Sequence, residues 1–354
     1  VLFIGAGASL GARAGIAPPP PVGTKLIAYL ERCFPTFKVW KQNPIPYGGG
    51  GGDADEDARL ETFFAEQRQR DNQNYEAAIN EMMRKDDDNL QPLLFALNRL
   101  LAFSFSHGNN NQCHREFLPL EDRYDLLIRR LGVDSGWRII SLNYDTLFED
   151  ALERQALKYV YPGLTMGVHP ASGSWADAVP VYKVHGSCNW FVPGSAEASY
   201  GTAQPPFNPR KVNHGDFFDE AGLVGVSIAD TYDVKTSGVC GQLSSIGPKH
   251  PVMAHFCKYK PALLNYRALA QIRRECLVGL KNLERAAVIG VRPVKAEDDT
   301  AVTDILERLP GACTECINPS EEDARVMRER YGFEIKRWTL EEWLARSALG
   351  VDPV

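Results

Sequence analysis

The chain has no apolar run of the about 18 residues that a membrane-spanning helix requires. Its longest candidate, Leu93 to Phe105, is broken by Asn98, Arg99 and Ser104. The opening Val1-Leu2-Phe3-Ile4 is not expected to be a secretory signal core, because it follows no basic stretch and runs into glycines. The numbering opens on Val1 rather than Met, so an N-terminal piece missing from it is expected. Paired cysteines are lacking too. The eight cysteines, at 33, 113, 188, 240, 257, 276, 313 and 316, have no scaffold spacing and read as free thiols in a reducing cytoplasm. Positive charge is in deficit, with 39 Lys and Arg against 45 Asp and Glu and a net charge of −6. A general nucleic-acid or anionic-membrane binder is therefore not expected. One glycine is missing where a hydride-transfer dehydrogenase needs it. The dinucleotide spacing that begins at Gly5 and Gly7 calls for glycine at position 10, which is Leu10.

What remains is the composition of a globular protein, 44% hydrophobic and 24% charged over 354 residues. That length corresponds to roughly 2.4 domains of about 150 residues each and can bury a core without staples. Residues 1–6 read as a strand entering a tight turn, and a helix pattern follows from Thr24 to Cys33. Gly48–Gly52 with the acidic stretch Asp53–Asp57 reads as a surface loop. Asp53, Asp55 and Asp57 imitate the start of a calcium loop, but Ala58 and Phe64 stand where its Gly and Glu belong. From Leu60 to Leu131 only helix patterns occur, with Leu93, Leu94, Leu97, Leu100 and Leu101 at helical spacing.

Strand signals return at Trp137–Leu142 and Val179–Val184, with a helix pattern at Tyr144–Arg154 between them. Residues 192–250 are rich in Gly, Pro, Asn and Ser and read as loops with one hairpin. A helix over Ala262–Leu283 precedes a clean alternation. This runs as strand Ala286–Gly290, helix Asp298–Arg308, strand Cys313–Ile317, helix Ser320–Tyr331, then Phe333–Lys336 and Leu340–Ala345. Such alternation predicts an α/β fold, a Rossmann-like parallel sheet with helices on both faces. The helical stretch makes an all-helical insertion at 36–135, which leaves 1–35 and 136–354 as the sheet domain. Ligands of such sheets bind at the carboxyl ends of the strands.

Three motifs fall at those ends. Gly5-Ala6-Gly7-Ala8-Ser9 can be a phosphate-binding turn, since glycines let backbone amides approach an anion, or a plain strand–helix connection. In Ser141-Leu142-Asn143-Tyr144-Asp145, Asp145 can act on a ligand or cap the helix behind it, and the Asn143 amide suits a ligand amide or a water. In Lys183-Val184-His185-Gly186-Ser187, His185 can be structural or can exchange protons near neutrality. Cys188 reads as a packing residue, a nucleophile only if exposed and of lowered proton affinity, and His107, His114, His214, His250 and His255 lack ligand spacing. Asp86–Asp88 and Asn109–Asn111 read as helix-boundary loops.

As an ordered set, these motifs resemble the sirtuin-like (SIR2) family, and more closely its bacterial defence branch than the protein deacylases. The opening turn with Ala14-Gly15-Ile16, Ser141–Glu149 (SLNYDTLFE) and Lys183–Ser187 (KVHGS) carry the resemblance, together with Val288-Ile289-Gly290 and Ile317-Asn318-Pro319. It spans most of the chain outside 36–135 and 192–250. The resemblance implies NAD as substrate and no metal. Gly5, Ala6, Gly7 and Ser9 would cradle the pyrophosphate, and Gly290 and Asn318 would face the adenosine half. Asn143, Tyr144 and Asp145 would surround the nicotinamide ribose, with Asn143 positioning water and His185 assisting proton transfer.

The chain departs from the family at Arg292, where members often carry Ser, and at Pro18–Pro21, where deacylases carry Asp-Phe-Arg. The four-cysteine zinc module is missing as well, since Cys313 and Cys316 form a lone pair. The expected activity is therefore an NAD+ glycohydrolase (NADase), a toxic effector of antiviral defence by abortive infection. Its expected setting is a cytoplasmic homo-oligomer, or a complex with a hexameric HerA-type ATPase or an Argonaute-like protein. A protein deacylase, an ADP-ribosyltransferase and a non-catalytic NAD- or ADP-ribose-sensing module are the alternatives.

Overall fold

The computed structural model describes residues 1–12, 25–42, 54–70, 74–84, 123–162, 177–192, 227–228, 250–253, 267–281, 283–295 and 299–348, with 93, 96, 97, 100, 101, 104 and 105. Its strands are β1 (Leu2–Ile4), β2 (Ile139–Ser141), β3 (Tyr159–Val160), β4 (Val179–Lys183), β5 (Gly186–Val192), β6 (Ser227–Ile228), β7 (His250–Met253), β8 (Ala286–Ile289), β9 (Thr314–Ile317) and β10 (Glu334–Lys336). Its helices are α1 (Ala6–Ala12), α2 (Leu26–Gln42), α3 (Ala54–Arg68), α4 (Tyr75–Arg84), α5 (Arg123–Leu131), α6 (Leu147–Arg154), α7 (Arg267–Gly279), α8 (Thr300–Leu306), α9 (Glu321–Tyr331) and α10 (Leu340–Ala348).

Seven strands form one parallel sheet in the order β10-β9-β8-β1-β2-β4-β3, a Rossmann-like α/β fold. Its central strands read as continuous apolar runs because a parallel sheet is covered on both sides. Leu2, Phe3 and Ile4 are fully buried, and so is Val288. From β1 the chain steps to β2, and from β8 it steps the opposite way through β9 to β10. Right-handed crossovers then place α1 and α6 on one face and α8 and α9 on the other. The packing agrees: α5 meets α1, α6 and α10, whereas α7 meets β4 and α8.

Local chemistry sets the element ends in the C-terminal third. Asp299 caps α8, its Oδ1 accepting from Val302 N at 3.2 Å. Ser320 Oγ accepts from Asp323 N at 3.3 Å to start α9, and Gly332 ends that helix at φ 71°, the left-handed position glycine favours. The predicted alternation of 286–345 is present throughout, within a few residues at each end.

Elsewhere the structure differs from the sequence reading. Position 54 onward is helix α3 rather than loop, because Asp55, Glu56 and Asp57 occupy its first turn, where negative charge is favourable. Helix α6 begins at Leu147, not Tyr144, and Tyr144–Asp145 form a bend instead. Residues 186–191 carry no element in the sequence reading. With Val192 they form β5, which bonds antiparallel to β6 and β7 in a second, three-stranded sheet. Helix α2 extends from Leu26 through Pro35 and past position 36, and every regular element described between 36 and 135 is helical. Leu97, Leu100 and Leu101 are buried, while Leu94 lies outside the described residues. So do Ala14–Ile16, Pro18–Pro21, Gly48–Gly52, Asp86–Asp88, Asn109–Asn111 and most of 193–249. No described helix is long and apolar enough to cross a membrane.

Candidate active site

The sheet reverses its direction of growth at β1, so its switch point lies at the carboxyl ends of β8, β1 and β2. Two glycine turns interlock there. Gly5 N donates to Ile289 O at 2.9 Å, Gly7 N to Gly290 O at 3.2 Å, and Ala8 N to Gly5 O at 2.9 Å. A Cβ on Gly5 would stand 2.5 Å from Gly290 O, and one on Gly290 would stand 2.3 Å from Ala8 N. Gly290 also holds φ at +63°. The glycines thus let two backbones meet, and three amides of the opening turn already serve protein carbonyls. Ala6 and Gly7, at the tip of the turn, are exposed.

Beneath that tip lies a buried polar cluster. Asn143 Nδ2 donates to Ser9 Oγ at 2.7 Å, and Ser9 Oγ donates to Asp145 Oδ2 at 3.0 Å. The Tyr124 hydroxyl, from α5, stands 3.0 Å from Ser9 Oγ. Ser9 is therefore the hub of the cluster, its hydroxyl turned inward on protein groups. Asn143 Oδ1 has no hydrogen-bond partner among the described residues, although the side chain is buried. A buried amide oxygen without a donor costs free energy unless a ligand or water supplies one. Asp145 Oδ1 accepts from Leu147 N at 3.2 Å, so the residue also helps start α6. Burial pushes the Asp145 carboxyl above its usual range. Lys183 opposes this, Glu149 adds to it, and the Leu147 N–H and the Ser9 hydroxyl oppose it more weakly.

The third motif is tied to the second by its flanks. Ser141 pairs with Lys183 across β2 and β4. Lys183 is fully buried, with Nζ donating to Asp145 O and lying 3.0 Å from Glu149 Oε1. The Tyr161 hydroxyl donates to the same Glu149 oxygen at 3.1 Å. Cys188 N and Ser187 Oγ both donate to Tyr144 O, at 2.8 and 3.4 Å. Between those anchors sits His185, with Nε2 2.9 Å from Asp299 Oδ2.

The remaining residues singled out in the sequence fall as follows. The Tyr144 ring is buried, tilted against Phe105 at 6.2 Å. Asn318 Nδ2 donates to Val291 O at 3.1 Å and its Oδ1 accepts from Ser320 N at 2.9 Å, so it stitches the exits of β8 and β9. Arg292 is exposed, 3.8 Å from Asp323. Cys313 is exposed and Cys316 buried, and no group of three His, Cys, Asp or Glu among the described residues has the geometry to hold a metal. Cys188 is buried and forms no disulfide among the described residues.

Ser9, Asn143 and Asp145 thus come together directly, whereas the His185 side chain meets Asp299 and is connected to them along the chain, through Lys183 and Ser187. Tyr124, Tyr161 and Asp299 have no place among the residues picked from sequence, and Glu149 enters only as the end of the Ser141–Glu149 motif, with no role given to it. Asp299 falls inside the helix read from Asp298 to Arg308, and an acidic residue just before an apolar helical run is the signal that marks an N-cap. A cavity of about 1030 Å³ opens at the opposite edge of the sheet, among Val1, Trp137, Arg138, Ala286 and Thr314. Those are amino ends of strands, so the polar cluster, not that cavity, occupies the edge where parallel sheets work. Compared with known proteins, the chain matches no family model and is significantly similar to no curated protein.

Proposed function

We propose that the chain is an NAD+ glycohydrolase that releases nicotinamide and ADP-ribose. The observation that carries this reading is one buried cluster at the switch point. In it Ser9 holds the amide of Asn143, whose oxygen has no partner among the described residues, beside a carboxyl of raised proton affinity. The ordered resemblance to the sirtuin-like family supports the same reading.

In hydrolysis the bond between ribose and nicotinamide breaks with its electron pair leaving on the pyridine nitrogen. Water adds to the oxocarbenium-like carbon and one proton is released. Asn143 Oδ1 accepts a hydrogen bond from a ribose hydroxyl or the attacking water, orienting it with no reorganisation because Nδ2 is already fixed on Ser9. Asp145 places a negative charge near the developing positive one, and His185 exchanges the proton. The exposed Ala6–Gly7 tip is where the diphosphate approaches.

Such an enzyme would be the toxic effector of a bacterial anti-phage system in the cytoplasm. It would be held inactive by self-association, by a hexameric ATPase of the DNA-translocase type or by an Argonaute-like partner. The test is nicotinamide release from NAD by the full chain, alone and with candidate partners. Asn143→Ala and His185→Ala should each cut the rate by orders of magnitude. Unchanged release in both variants overturns the proposal, and turnover only with an acylated peptide reassigns the chain as a deacylase.

A further inference from the structure

We infer that Tyr124 is a positioning residue of the proposed site, its hydroxyl fixing Ser9 and Asn143 so that the amide keeps Oδ1 for the substrate. Tyr124 is fully buried on α5, the last described helix of the stretch 36–135. Its hydroxyl lies 3.0 Å from Ser9 Oγ and accepts from Asn143 Nδ2 at 3.5 Å. Ser9 follows β1 and Asn143 follows β2, so the phenol joins two motifs from a third element.

Ser9 Oγ has one hydrogen and two lone pairs. Asn143 Nδ2 occupies one lone pair, which leaves a hydrogen and a lone pair for Asp145 and Tyr124. With Asp145 ionised, Ser9 donates to the carboxylate and the phenol donates to Ser9. With Asp145 protonated, the carboxyl donates and Ser9 turns its hydrogen to the phenol. In both states the Ser9 hydroxyl is saturated, and Asn143 Nδ2 meets two hydroxyl oxygens. The amide therefore faces them with its nitrogen, and Oδ1, which has no partner among the described residues, is turned from them.

The phenol is braced by its neighbours in the helix. Arg154 Nε donates to both carboxylate oxygens of Asp125, at 3.1 and 3.0 Å, and ties α5 to α6. Arg123 lies 2.7 Å from Glu341 Oε2, and Arg130 donates to Trp343 O at 3.0 Å, which ties α5 to α10. The Tyr124 ring packs edge-on against Phe148 at 5.3 Å. A phenylalanine at 124 would pack in the same way, so it is the hydroxyl that reaches the two site residues. A buried hydroxyl held on both flanks sets the orientation of the amide before any substrate arrives.

The inference rests on the NADase reading, but its first test needs no turnover. Tyr124→Phe deletes one oxygen and keeps the ring. In the full 15N-labelled chain the side-chain amide signals of Asn143 are assigned by their loss in Asn143→Asp. Their hydrogen exchange should be at least about tenfold faster in Tyr124→Phe, while the backbone amides of Leu127 and Ala151 keep their rates. Unchanged Asn143 exchange overturns the inference. So does an equal acceleration at Leu127 and Ala151, which is a loss of stability alone. Should Tyr124→Phe fail to fold, the unsubstituted chain decides. There the Asn143 amide hydrogens should show cross-peaks to the Tyr124 ring and exchange at least about a hundredfold slower than those of free asparagine, and failure of either overturns the inference. For nicotinamide release, Tyr124→Phe should lower kcat about five- to fiftyfold while KM for NAD moves less than about threefold. A change in KM alone overturns the positioning role. If the unsubstituted chain releases no nicotinamide under any condition, the NADase reading fails, and the exchange result decides separately whether Tyr124 orients Asn143.

Discussion

Lys183 and Glu149 form a buried ion pair with side-chain exposures of 0% and 1%, which makes their energetics separable by a double-mutant cycle. Lys183→Met removes the ammonium and leaves the Glu149 carboxylate in the interior with the Tyr161 hydroxyl as donor. Breaking one side of such a pair costs about 3–5 kcal/mol, because the surviving charge stays desolvated. Glu149→Gln should cost a similar amount for the mirror reason. The double variant removes both charges of that pair and retains the Tyr161 hydrogen bond to the new amide oxygen. Its remaining deficits are the Asp145 carbonyl, which loses its donor from Lys183 at about 1–3 kcal/mol, and the buried Asp145 carboxyl, which loses the ammonium that favours its ionised form in either variant lacking Lys183. Equilibrium unfolding in urea, followed by tryptophan fluorescence from the buried Trp190 and Trp343, reads all four proteins. The double variant should be more stable than either single one, with a coupling of about 2 kcal/mol or more. Additive losses would refute the argument that a charged pair, rather than packing alone, holds the Asp145 bend.

Two other outcomes follow from the same geometry. Gly290→Ala forces a Cβ to 2.3 Å from Ala8 N at a φ of +63°, so about 3 kcal/mol or more should be lost, seen as a lower unfolding midpoint or failure to accumulate in soluble form. Asp145 has a folded-state proton affinity above the ordinary carboxyl one, so its favourable contribution is complete below the usual carboxyl range and is lost as pH rises through the raised value. Asp145→Asn removes that loss, so its thermal midpoint relative to the unsubstituted chain should be highest above the raised value, and the advantage should shrink as pH falls into the usual carboxyl range; a constant offset would contradict the raised affinity.

The alternating C-terminal third was legible because its signals are local. Buried runs such as Ala286–Ile289 are bounded by Asp299, Ser320 and Gly332, each of which starts or stops a helix through its own backbone. The motif ends at Ser9, Asn143 and His185 could be ordered along the chain by the same logic. What escaped was whatever depends on partners distant in sequence. Helix α6 starts late because Tyr144 O and Asp145 O are taken by Cys188 N and Lys183 Nζ, which no local pattern reports. Tyr124 looks like one more core aromatic on α5 until its hydroxyl is seen on Ser9. Strand β5 begins at Gly186 with φ +87°, a reversal that turns the chain into a second sheet and that no local pattern announces. The acidic start of α3 misled for a different reason, since the same residues suit a solvated loop and a helix N-terminus.

The parallel sheet is finished at both margins by very short strands, two residues in β3 and three in β10, the latter carrying Glu334 and Lys336. Long, flat, apolar margins invite another chain to add a strand, whereas stubby or charged ones repel it. Copies of this protein should therefore not fuse their large sheets into one continuous ribbon, and a particle of several subunits would grow by apposing helices or the smaller antiparallel sheet.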